Sequence, residues 1–249
     1  MKKIIPKFFY VLRQTYNYSR SIFYVGDNFI CPCCGGGFKK LLTYGVKPRS
    51  NARCPRCGLF ERHRLLWLYL KNKTDFFSTK LKVLHLAPEY FIQRKFKALP
   101  NLDYVSLDLN SPLAEIKADI TELPFNNEVF DLVLCSHVLE HVLDDQKAIG
   151  ELYRVIKTGG RMIGQVPADI NREKTLEDAK AVTPEQRKLI FGQIDHVRIY
   201  GQDFKNRLEK SGFKVKVEDY ITELGEEYAK RYCLKEDDKL HYIYFCHKN

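Results

Sequence analysis

The sequence predicts an α/β protein in two unequal parts: a seven-strand, doubly wound, mostly parallel sheet over residues 81–249, preceded by a small cysteine-rich module. The sheet is predicted because β-rich runs alternate with helical runs from residue 81 onward, as in strands joined by crossover helices. The module is predicted from two cysteine pairs near the front of the chain. The predicted strands cover 82–86, 104–107, 115–118, 129–135, 161–166, 214–218 and 242–246, with helices near 90–99, 144–157 and 202–210.

Two local signals predict helix ends within the sheet domain. The helix at 144–157 should stop at Lys157-Thr158-Gly159-Gly160, where a glycine can take the left-handed cap and the lysine faces the negative end of the dipole. Thr183-Pro184-Glu185-Gln186 has the form of a capping box with proline in the first turn. The second signal predicts a short helix in an insert at 167–199, which would lie over the ligand-binding edge of the sheet as a lid.

Two turns share the pattern Cys-Pro-x-Cys-Gly, one at 31–35 and one at 54–58. Together they supply four thiols with the spacing of a structural zinc site. The predicted ligands are Cys31, Cys34, Cys54 and Cys57, and Cys33 is left over. Disulfides are the alternative, but no secretory signal is evident and a chain of 249 residues can bury a core without them. Four thiolates leave no open coordination position, so the predicted zinc ion is structural rather than catalytic.

The charge of the chain is concentrated at its front. The whole chain carries a formal net charge of +10, whereas residues 1–80 hold 16 Lys and Arg against three Asp and Glu, a net charge of +13. Residues 81–249 carry −3. The front end therefore predicts a docking surface for an anionic partner. No run reaches the ~20 apolar residues that would span a bilayer, and we expect a cytoplasmic protein.

The front end divides into a basic amphipathic segment at 1–28, a zinc ribbon at 29–58 and a connecting helix at 59–80. In the first segment, apolar residues recur every three or four positions among lysines and arginines, which predicts a short helix. Packing on its own protein is one interpretation, and weak attachment to a membrane surface or a partner is the other. Arg62, His63 and Arg64 would line a groove between the modules or form a solvated charged face.

Three runs in the second part carry a family resemblance. They are DITELPF at 119–125, FDLVLCSHVLEHV at 130–142 and ELYRVIKTGG at 151–160. In order and spacing they closely resemble the class I S-adenosylmethionine-dependent methyltransferases of the type 11 group, and HVRIYG at 196–201 continues the likeness. The cysteine ribbon running into Glu61-Arg62-His63-Arg64 resembles a bacterial subgroup with an N-terminal zinc module. The resemblance implies a Rossmann-like methyltransferase fold with S-adenosylmethionine as cofactor.

The resemblance also implies where the cofactor lies, because ligands of open parallel sheets bind over the carboxyl ends of the strands. Asp108, with Leu109 beside it, occupies the position that grips the ribose hydroxyls in the family. Asp119 matches the position that accepts from the adenine amine, and Ile120 would lie against the ring. Three residues after the fourth strand would face the activated methyl group: Cys135, Ser136 and His137.

The first loop departs from the family pattern. Most members have an acidic residue and then a glycine triplet, whereas here His85 replaces the acid and Ala87 and Glu89 replace glycines. Ala87 would still let the backbone pass close to the methionine half of the cofactor, and Glu89 would pair with its amino group. The alternative is a domain that has lost its cofactor.

Methyl transfer to a hydroxyl needs an aligned acceptor and a group that removes its proton, a task that suits histidine near neutral pH. We expect His196 to be this base, with Asp195 to orient it and with His137 and His141 as the other candidates. A structural role is the alternative for each of these histidines.

The sequence favours O-methylation of a small-molecule or glycan-like acceptor, because the turn after the fourth strand reads Cys135-Ser136-His137-Val138 and lacks the motifs of base methylation. Two alternatives stay open. One is an RNA methyltransferase whose basic zinc module docks RNA. The other is a zinc-ribbon binding protein whose methyltransferase-like domain no longer turns over.

Overall fold

The computed structural model describes residues 6–45, 48–235 and 242–249. Residues 1–5, part of the predicted amphipathic segment, and the charged run at 237–239 before the last strand lie outside these ranges. The front end begins with one helix and two β-hairpins. Their bounds are α1 (Lys7–Ser21), β1 (Val25–Cys31), β2 (Gly36–Phe38), β3 (Leu42–Tyr44) and β4 (Arg49–Arg53).

A single helix joins the hairpins to the sheet domain, in which strands and helices alternate as predicted. The elements are α2 (Glu61–Lys73), β5 (Leu81–Leu86), α3 (Tyr90–Lys97), β6 (Leu102–Asp108), β7 (Ile116–Lys117), β8 (Phe130–Ser136), α4 (Asp145–Val155), β9 (Ile156–Gln165), β10 (Leu176–Glu177), α5 (Pro184–Phe191), β11 (Arg198–Ile199), α6 (Phe204–Glu209), β12 (Lys214–Glu218), α7 (Tyr220–Leu224), α8 (Glu226–Arg231) and β13 (Ile243–His247).

The main sheet has seven strands in the order β12-β13-β9-β8-β5-β6-β7. All neighbours pair in parallel except β13, which is antiparallel to both β9 and β12. The predicted seven-strand, mostly parallel sheet is thereby confirmed. The chain runs outward from β5 to β7 and then resumes on the other side of β5 with β8, so the strand order reverses between β5 and β8. This is where an open α/β sheet binds its ligand.

The predicted end of the fourth helix is wrong. Helix α4 ends at Val155, and β9 begins at Ile156 and runs through the two glycines. Gly159 does adopt a left-handed conformation, with φ of +78°, but its N–H donates to the carbonyl of Lys248 instead of capping the helix. The Lys157 ammonium lies 2.7 Å from Asp131. Pairing with β8 and β13 thus overrides the local helix-stop signal.

The predicted capping box in the insert is confirmed. The Thr183 hydroxyl accepts from the N–H of Gln186 at 3.2 Å, and the Gln186 side chain accepts from the N–H of Thr183 at 2.9 Å. Pro184 occupies the first turn of α5, which ends at Gly192 with φ of +79°. The rest of the insert is held by pairing of β10 with β11.

Helix α2 joins the cysteine module and the sheet into one core. Its apolar side packs in a cluster that contains module cysteines and residues of β5, β8 and β9. Trp67 stacks on Phe96 of α3 with ring centroids 5.7 Å apart. A polar contact also joins the helix to the sheet, because the Tyr69 hydroxyl donates to the Glu218 carboxylate of β12 at 3.1 Å. The two parts therefore share a single hydrophobic interior.

Arg64 of α2 lies at the junction and is fully buried. Its five N–H groups donate to five backbone carbonyls. Three belong to the cysteine module, namely Asn51 at 3.3 Å, Ala52 at 3.0 Å and Leu59 at 3.2 Å, and two belong to the turn after α8, Tyr232 at 2.8 Å and Cys233 at 2.5 Å. Arg64 therefore joins the two modules, and the predicted alternative of a solvated charged face is wrong for His63 and Arg64 because both are buried.

Helix α1 packs on the module through a narrow stripe. Asn17 and Ser21 are its buried residues, and the Gln14 amide donates to the carbonyl of Arg56 at 2.8 Å. Its outer face is apolar and exposed, with Phe8, Phe9, Leu12 and Tyr16 each about half exposed or more. Within the described ranges, none of the helices combines the length and the apolar character needed to cross a bilayer.

Replacing Arg64 by Lys should lower the free energy of unfolding by roughly 2–5 kcal/mol. Lysine has three donors for five buried carbonyls, and each carbonyl left without a donor costs about 1–3 kcal/mol. Urea denaturation of the full chain measures the effect. Arg94→Lys on the exposed face of α3 is the matched control and should change stability by less than about 0.5 kcal/mol. An Arg64→Lys protein as stable as the parent would show that the junction does not depend on this guanidinium.

Candidate functional site

The two cysteine turns lie side by side because each hairpin delivers one of them. The first follows β1, and the second follows β4. The carbonyls of Cys31 and Cys54 each accept from the N–H of the glycine four residues on, at 2.8 and 3.0 Å. Gly35 and Gly58 have φ of +69° and +76°, a conformation that glycine adopts without steric cost. The four predicted ligand sulfurs, those of Cys31, Cys34, Cys54 and Cys57, lie within 4.8 Å of one another.

The sulfur geometry fits a tetrahedral metal. Cys31 and Cys57 have their sulfurs 3.6 Å apart, and Cys34 and Cys54 have theirs 3.8 Å apart. Metal–sulfur bonds of about 2.3 Å in a tetrahedron separate the sulfurs by roughly 3.8 Å, whereas a disulfide bond is about 2.05 Å long. Burial raises the pKa of the Cys57 thiol, so thiolates here need a cation to balance them. Cys33 does not join them, because its thiol donates to the carbonyl of His63 at 3.7 Å.

The loop after β5 carries the departures from the family pattern. Ala87 has φ of +48°, in the left-handed region that glycine favours and that other residues rarely adopt. His85 is buried, with its Nδ1 2.7 Å from the Tyr104 hydroxyl and its ring packed on Phe96. Burial lowers the pKa of His85 to about 4, which keeps the imidazole neutral at neutral pH.

Glu89, at the N-terminus of α3, contacts the connecting helix. Its carboxylate lies 2.6 Å from Nε2 of His63. The Nδ1 atom of His63 accepts from the N–H of Phe60 at 3.0 Å, so the proton of the neutral ring is on Nε2, the nitrogen next to Glu89. Burial raises the pKa of Glu89, but His63 outweighs it and lowers the pKa to about 2. The first loop of the sheet domain is thus held by the front end of the protein.

The two predicted aspartates lie at the ends of the next two strands, β6 and β7. Asp108 closes β6, and its Oδ1 accepts from the N–H groups of Asn110 at 2.7 Å and Ser111 at 2.6 Å. Asp119 accepts from the N–H and the hydroxyl of Thr121, both at 2.8 Å and both at Oδ1. Each carboxylate therefore fixes its loop with one oxygen. Among the described residues, no hydrogen bond reaches the other oxygen, which leaves it available to a ligand.

The neighbouring predicted residues divide between core and surface. Leu109 is exposed beside Asp108, whereas Ile120 is buried next to Asp119. Cys135 packs inside the core below the strand end, and burial raises the pKa of its thiol. The Ser136 hydroxyl donates to the Gln165 side chain at 2.9 Å. Cys135 and Ser136 thus brace the end of β8 with their side chains.

His137 follows β8 in a strained conformation with φ of +54°, which non-glycine residues rarely adopt. Its N–H donates to the carbonyl of Gln165 at 2.8 Å, and its Nδ1 lies 3.3 Å from the buried carboxylate of Glu140. Positive φ values thus occur at the ends of both β5 and β8, the two strands between which the strand order reverses. Such strain is concentrated at functional sites in proteins.

His196 lies in the same cluster as His137. Its ring packs edge to face on His141 with centroids 4.8 Å apart, and its ligand atoms lie within 4.8 Å of those of Glu140 and His141. Asp195 contacts His141, whose Nδ1 lies 3.0 Å from the Asp195 carbonyl oxygen. The structure therefore brings His137, His141, His196 and Asp195 together at one edge of the sheet and adds Glu140 to them.

Sequence reasoning named His141 only as a candidate base and missed Glu140 as a site residue, although Glu140 stands in the run that carries the family resemblance. Glu140 is about 1% exposed, an unusual position for a carboxylate, and burial raises its pKa. The signal that could have identified Glu140 was the Glu-His pair shortly after a buried strand. Its significance depends on His196, more than 50 residues away in the sequence.

Arg198 holds the turn that carries this pair. The guanidinium is buried and donates to the carbonyls of Leu139 at 2.9 Å and Leu143 at 2.8 Å, and also to that of Val142. It completes its contacts with the Glu177 carboxylate at 2.7 Å. Arg198 therefore has a structural role in shaping the site.

Comparison with known sequences identifies part of this domain. Residues 92–164 match the family model described as methyltransferase domain. An uncharacterised protein of Methanocaldococcus jannaschii is 32% identical over 126 residues, which make up 48% of this chain and 52% of that protein. The demethylmenaquinone methyltransferase of Clavibacter sepedonicus is 37% identical over 79 residues, 30% of this chain and 32% of that one. The chain thus spans about half, or less, of the curated relatives it matches.

Solved structures share the fold at low sequence identity. The [4+2]-cyclase SpnF aligns with a TM-score of 0.56 at 14% identity, covering 96% of each chain. A 1,6-didemethyltoxoflavin-N1-methyltransferase of Burkholderia thailandensis, solved with S-adenosylhomocysteine, aligns with a TM-score of 0.52 at 11% identity, covering 76% of this chain and 79% of that one. The sheet domain therefore has the class I methyltransferase fold that the sequence predicted. Since one of these structures is a cyclase, the fold alone does not specify the reaction.

Proposed function

We propose that this protein is an S-adenosylmethionine-dependent methyltransferase that acts on a hydroxyl of a small-molecule or glycan-like acceptor. The observation that carries the proposal is the pair of aspartates at the strand ends. Asp108 and Asp119 each fix their own loop through Oδ1, and no described residue donates a hydrogen bond to the other oxygen. This arrangement suits recognition of a nucleoside by hydroxyl and amine donors.

Asp108 would accept from the ribose hydroxyls with Leu109 against the sugar, and Asp119 would accept from the adenine amine. The left-handed backbone at Ala87 supports a close passage of the first loop, and therefore a working cofactor site rather than a degenerate one. Glu89 is ionised beside His63 and presents a partly exposed carboxylate, which would attract the amino group of the methionine half. His85 and Cys135 are buried and would support the site by packing below it.

Bound S-adenosylmethionine supplies a methyl group on a positively charged sulfonium, and its transfer to an acceptor oxygen leaves S-adenosylhomocysteine. The protein's own task is to align the acceptor and to take its hydroxyl proton. His137 and His196 lie at the edge where β8 ends, and either imidazole can hold that proton. Asp195, through its contact with His141, would help to fix the histidine cluster.

The cysteine module supports an anionic acceptor or partner. Arg13 and Arg20 of α1 lie near Arg53 of β4, and the pKa of Arg53 is lowered by burial and then by the repulsion of these two arginines. This cluster also favours a second candidate function, an RNA methyltransferase whose module holds the phosphate backbone. RNA affinity that falls steeply with salt would favour this second candidate over a small acceptor.

We propose that the four cysteines hold a structural zinc ion, in line with the zinc-bearing subgroup that the sequence resembles. The full chain should then contain one zinc per molecule by elemental analysis. Cys34→Ser should lose the metal, because a hydroxyl is a poor zinc ligand and the other three sulfurs cannot complete the tetrahedron. Cys233→Ser, at a thiol of similar partial exposure outside the cluster, is the control that should keep it. A parent protein without zinc, or a Cys34→Ser variant that retains it, would refute the site.

The cofactor site is tested by titration of the full chain with S-adenosylhomocysteine in a calorimeter. Asp108→Asn keeps the amide oxygen that Asn110 and Ser111 need but removes the carboxylate, so the loop should hold while affinity falls tenfold or more, about 1.5–3 kcal/mol. Asp103→Asn, at the opposite end of the same strand, is the matched control and should bind as the parent does. A parent that does not bind, or an Asp108→Asn variant with unchanged affinity, would contradict the proposed function.

A further inference from the structure

We infer that Glu140, His141 and His196 form a second metal site, which binds a divalent cation at the acceptor edge of the sheet. These three side chains each offer one ligand atom, and the three atoms lie within 4.8 Å of one another. Glu140 and His141 come from the turn directly after β8, and His196 comes from the loop before β11. Two imidazoles and a carboxylate are a common ligand set for divalent transition-metal ions.

The carboxylate of Glu140 is the first independent sign of a cation site. It is about 1% exposed, and neither of its oxygens accepts a hydrogen bond from any described residue. Its one ion-pair contact in that part of the chain is Nδ1 of His137, at 3.3 Å. A buried carboxylate without hydrogen bonds costs several kcal/mol when ionised, and a bound cation removes this cost.

The orientation of His141 is the second sign. Its Nδ1 lies 3.0 Å from the carbonyl oxygen of Asp195. A carbonyl only accepts hydrogen bonds, so Nδ1 carries the proton and Nε2 keeps its lone pair for a metal. Metal-bound histidines are commonly held in this way, with the second ring nitrogen donating to a carbonyl or carboxylate.

The backbone around the three ligands is fixed from outside the site. Arg198 binds the carbonyls of Leu139, Val142 and Leu143 on both sides of the Glu140–His141 pair. The N–H of Val197 donates to the carbonyl of Glu140 at 2.9 Å, which ties the loop of His196 to the same turn. This support holds the ligands before the cation arrives, as a metal site requires.

Three protein ligands leave coordination positions open. His141 is about one third exposed on its side chain, so the site opens to the surface. If the methyltransferase function proposed above holds, an acceptor with adjacent oxygens, such as a vicinal diol or a catechol, would bind the cation through them. The cation would lower the pKa of one hydroxyl, whose proton goes to His137. The oxygen–methyl bond then forms as the sulfonium carbon–sulfur bond breaks, and its electron pair stays on sulfur. His196 is a ligand here, so His137 is left as the base.

Titration of the zinc-loaded full chain with Mn²⁺, followed by the electron paramagnetic resonance of the free ion, tests the site. Mn²⁺ prefers oxygen and nitrogen ligands and leaves the thiolates to zinc. One Mn²⁺ per chain is expected. Glu140→Gln and His141→Asn should each weaken Mn²⁺ binding at least tenfold. If the buried substitution Glu140→Gln prevents folding, His141→Asn, at the exposed ligand, still tests the site. His247→Asn, at the far end of the antiparallel strand β13, is the control and should bind normally.

Absence of a saturable Mn²⁺ site, or an His141→Asn variant that binds as tightly as the parent, would overturn the inference. The same samples are titrated with S-adenosylhomocysteine, whose affinity should not change in His141→Asn. A parent that binds Mn²⁺ but not S-adenosylhomocysteine would keep the cation site and refute its role in methyl transfer.

Discussion

The buried guanidinium of Arg64 is the interaction on which the arrangement of the two parts depends. It binds carbonyls of the cysteine module and of the turn after α8, about 170 residues further along the chain. The carbonyl of Leu59 also accepts from the N–H of Cys54 at 2.9 Å. Separating the modules would take the guanidinium away from the carbonyls on one side of the junction, and a buried carbonyl that loses its donor costs free energy. The module therefore packs against the sheet domain as part of one structure, and the proposed zinc ion would stabilise that packing.

The same helix reaches the candidate cofactor loop. One residue before Arg64, His63 holds Glu89 at 2.6 Å, and one residue before that, the carbonyl of Arg62 accepts from the Gln165 side chain at 3.3 Å. Loops after β5 and β9 are thus supported by residues of α2. This gives a physical reason for the altered first loop, because Glu89 makes a contact with His63 that a glycine at this position could not make. The front end shapes the site as well as adding positive charge.

The existence of the seven strands followed from the sequence because apolar periodicity is local, and the aspartates at strand ends followed from the family resemblance. The end of α4 could not be predicted, since pairing of Ile156 with Phe130 outweighs the local glycine signal. The contacts of Arg64 and the grouping of Glu140 with His196 join residues far apart in the chain. Residue type alone indicated a charged surface at Arg64 and gave no reason to single out Glu140.

The central claim is that the cysteine module and the sheet form one cooperative unit. Trp67, the single tryptophan, stacks between α2 and α3, so its fluorescence reports the contact of α2 with the sheet domain. Urea unfolding of the zinc-bound chain, followed at once by this fluorescence and by zinc release to a coloured chelator, is the most direct measurement. The account predicts that both signals change with the same midpoint. Zinc release at clearly lower urea, with Trp67 fluorescence still native, would contradict it.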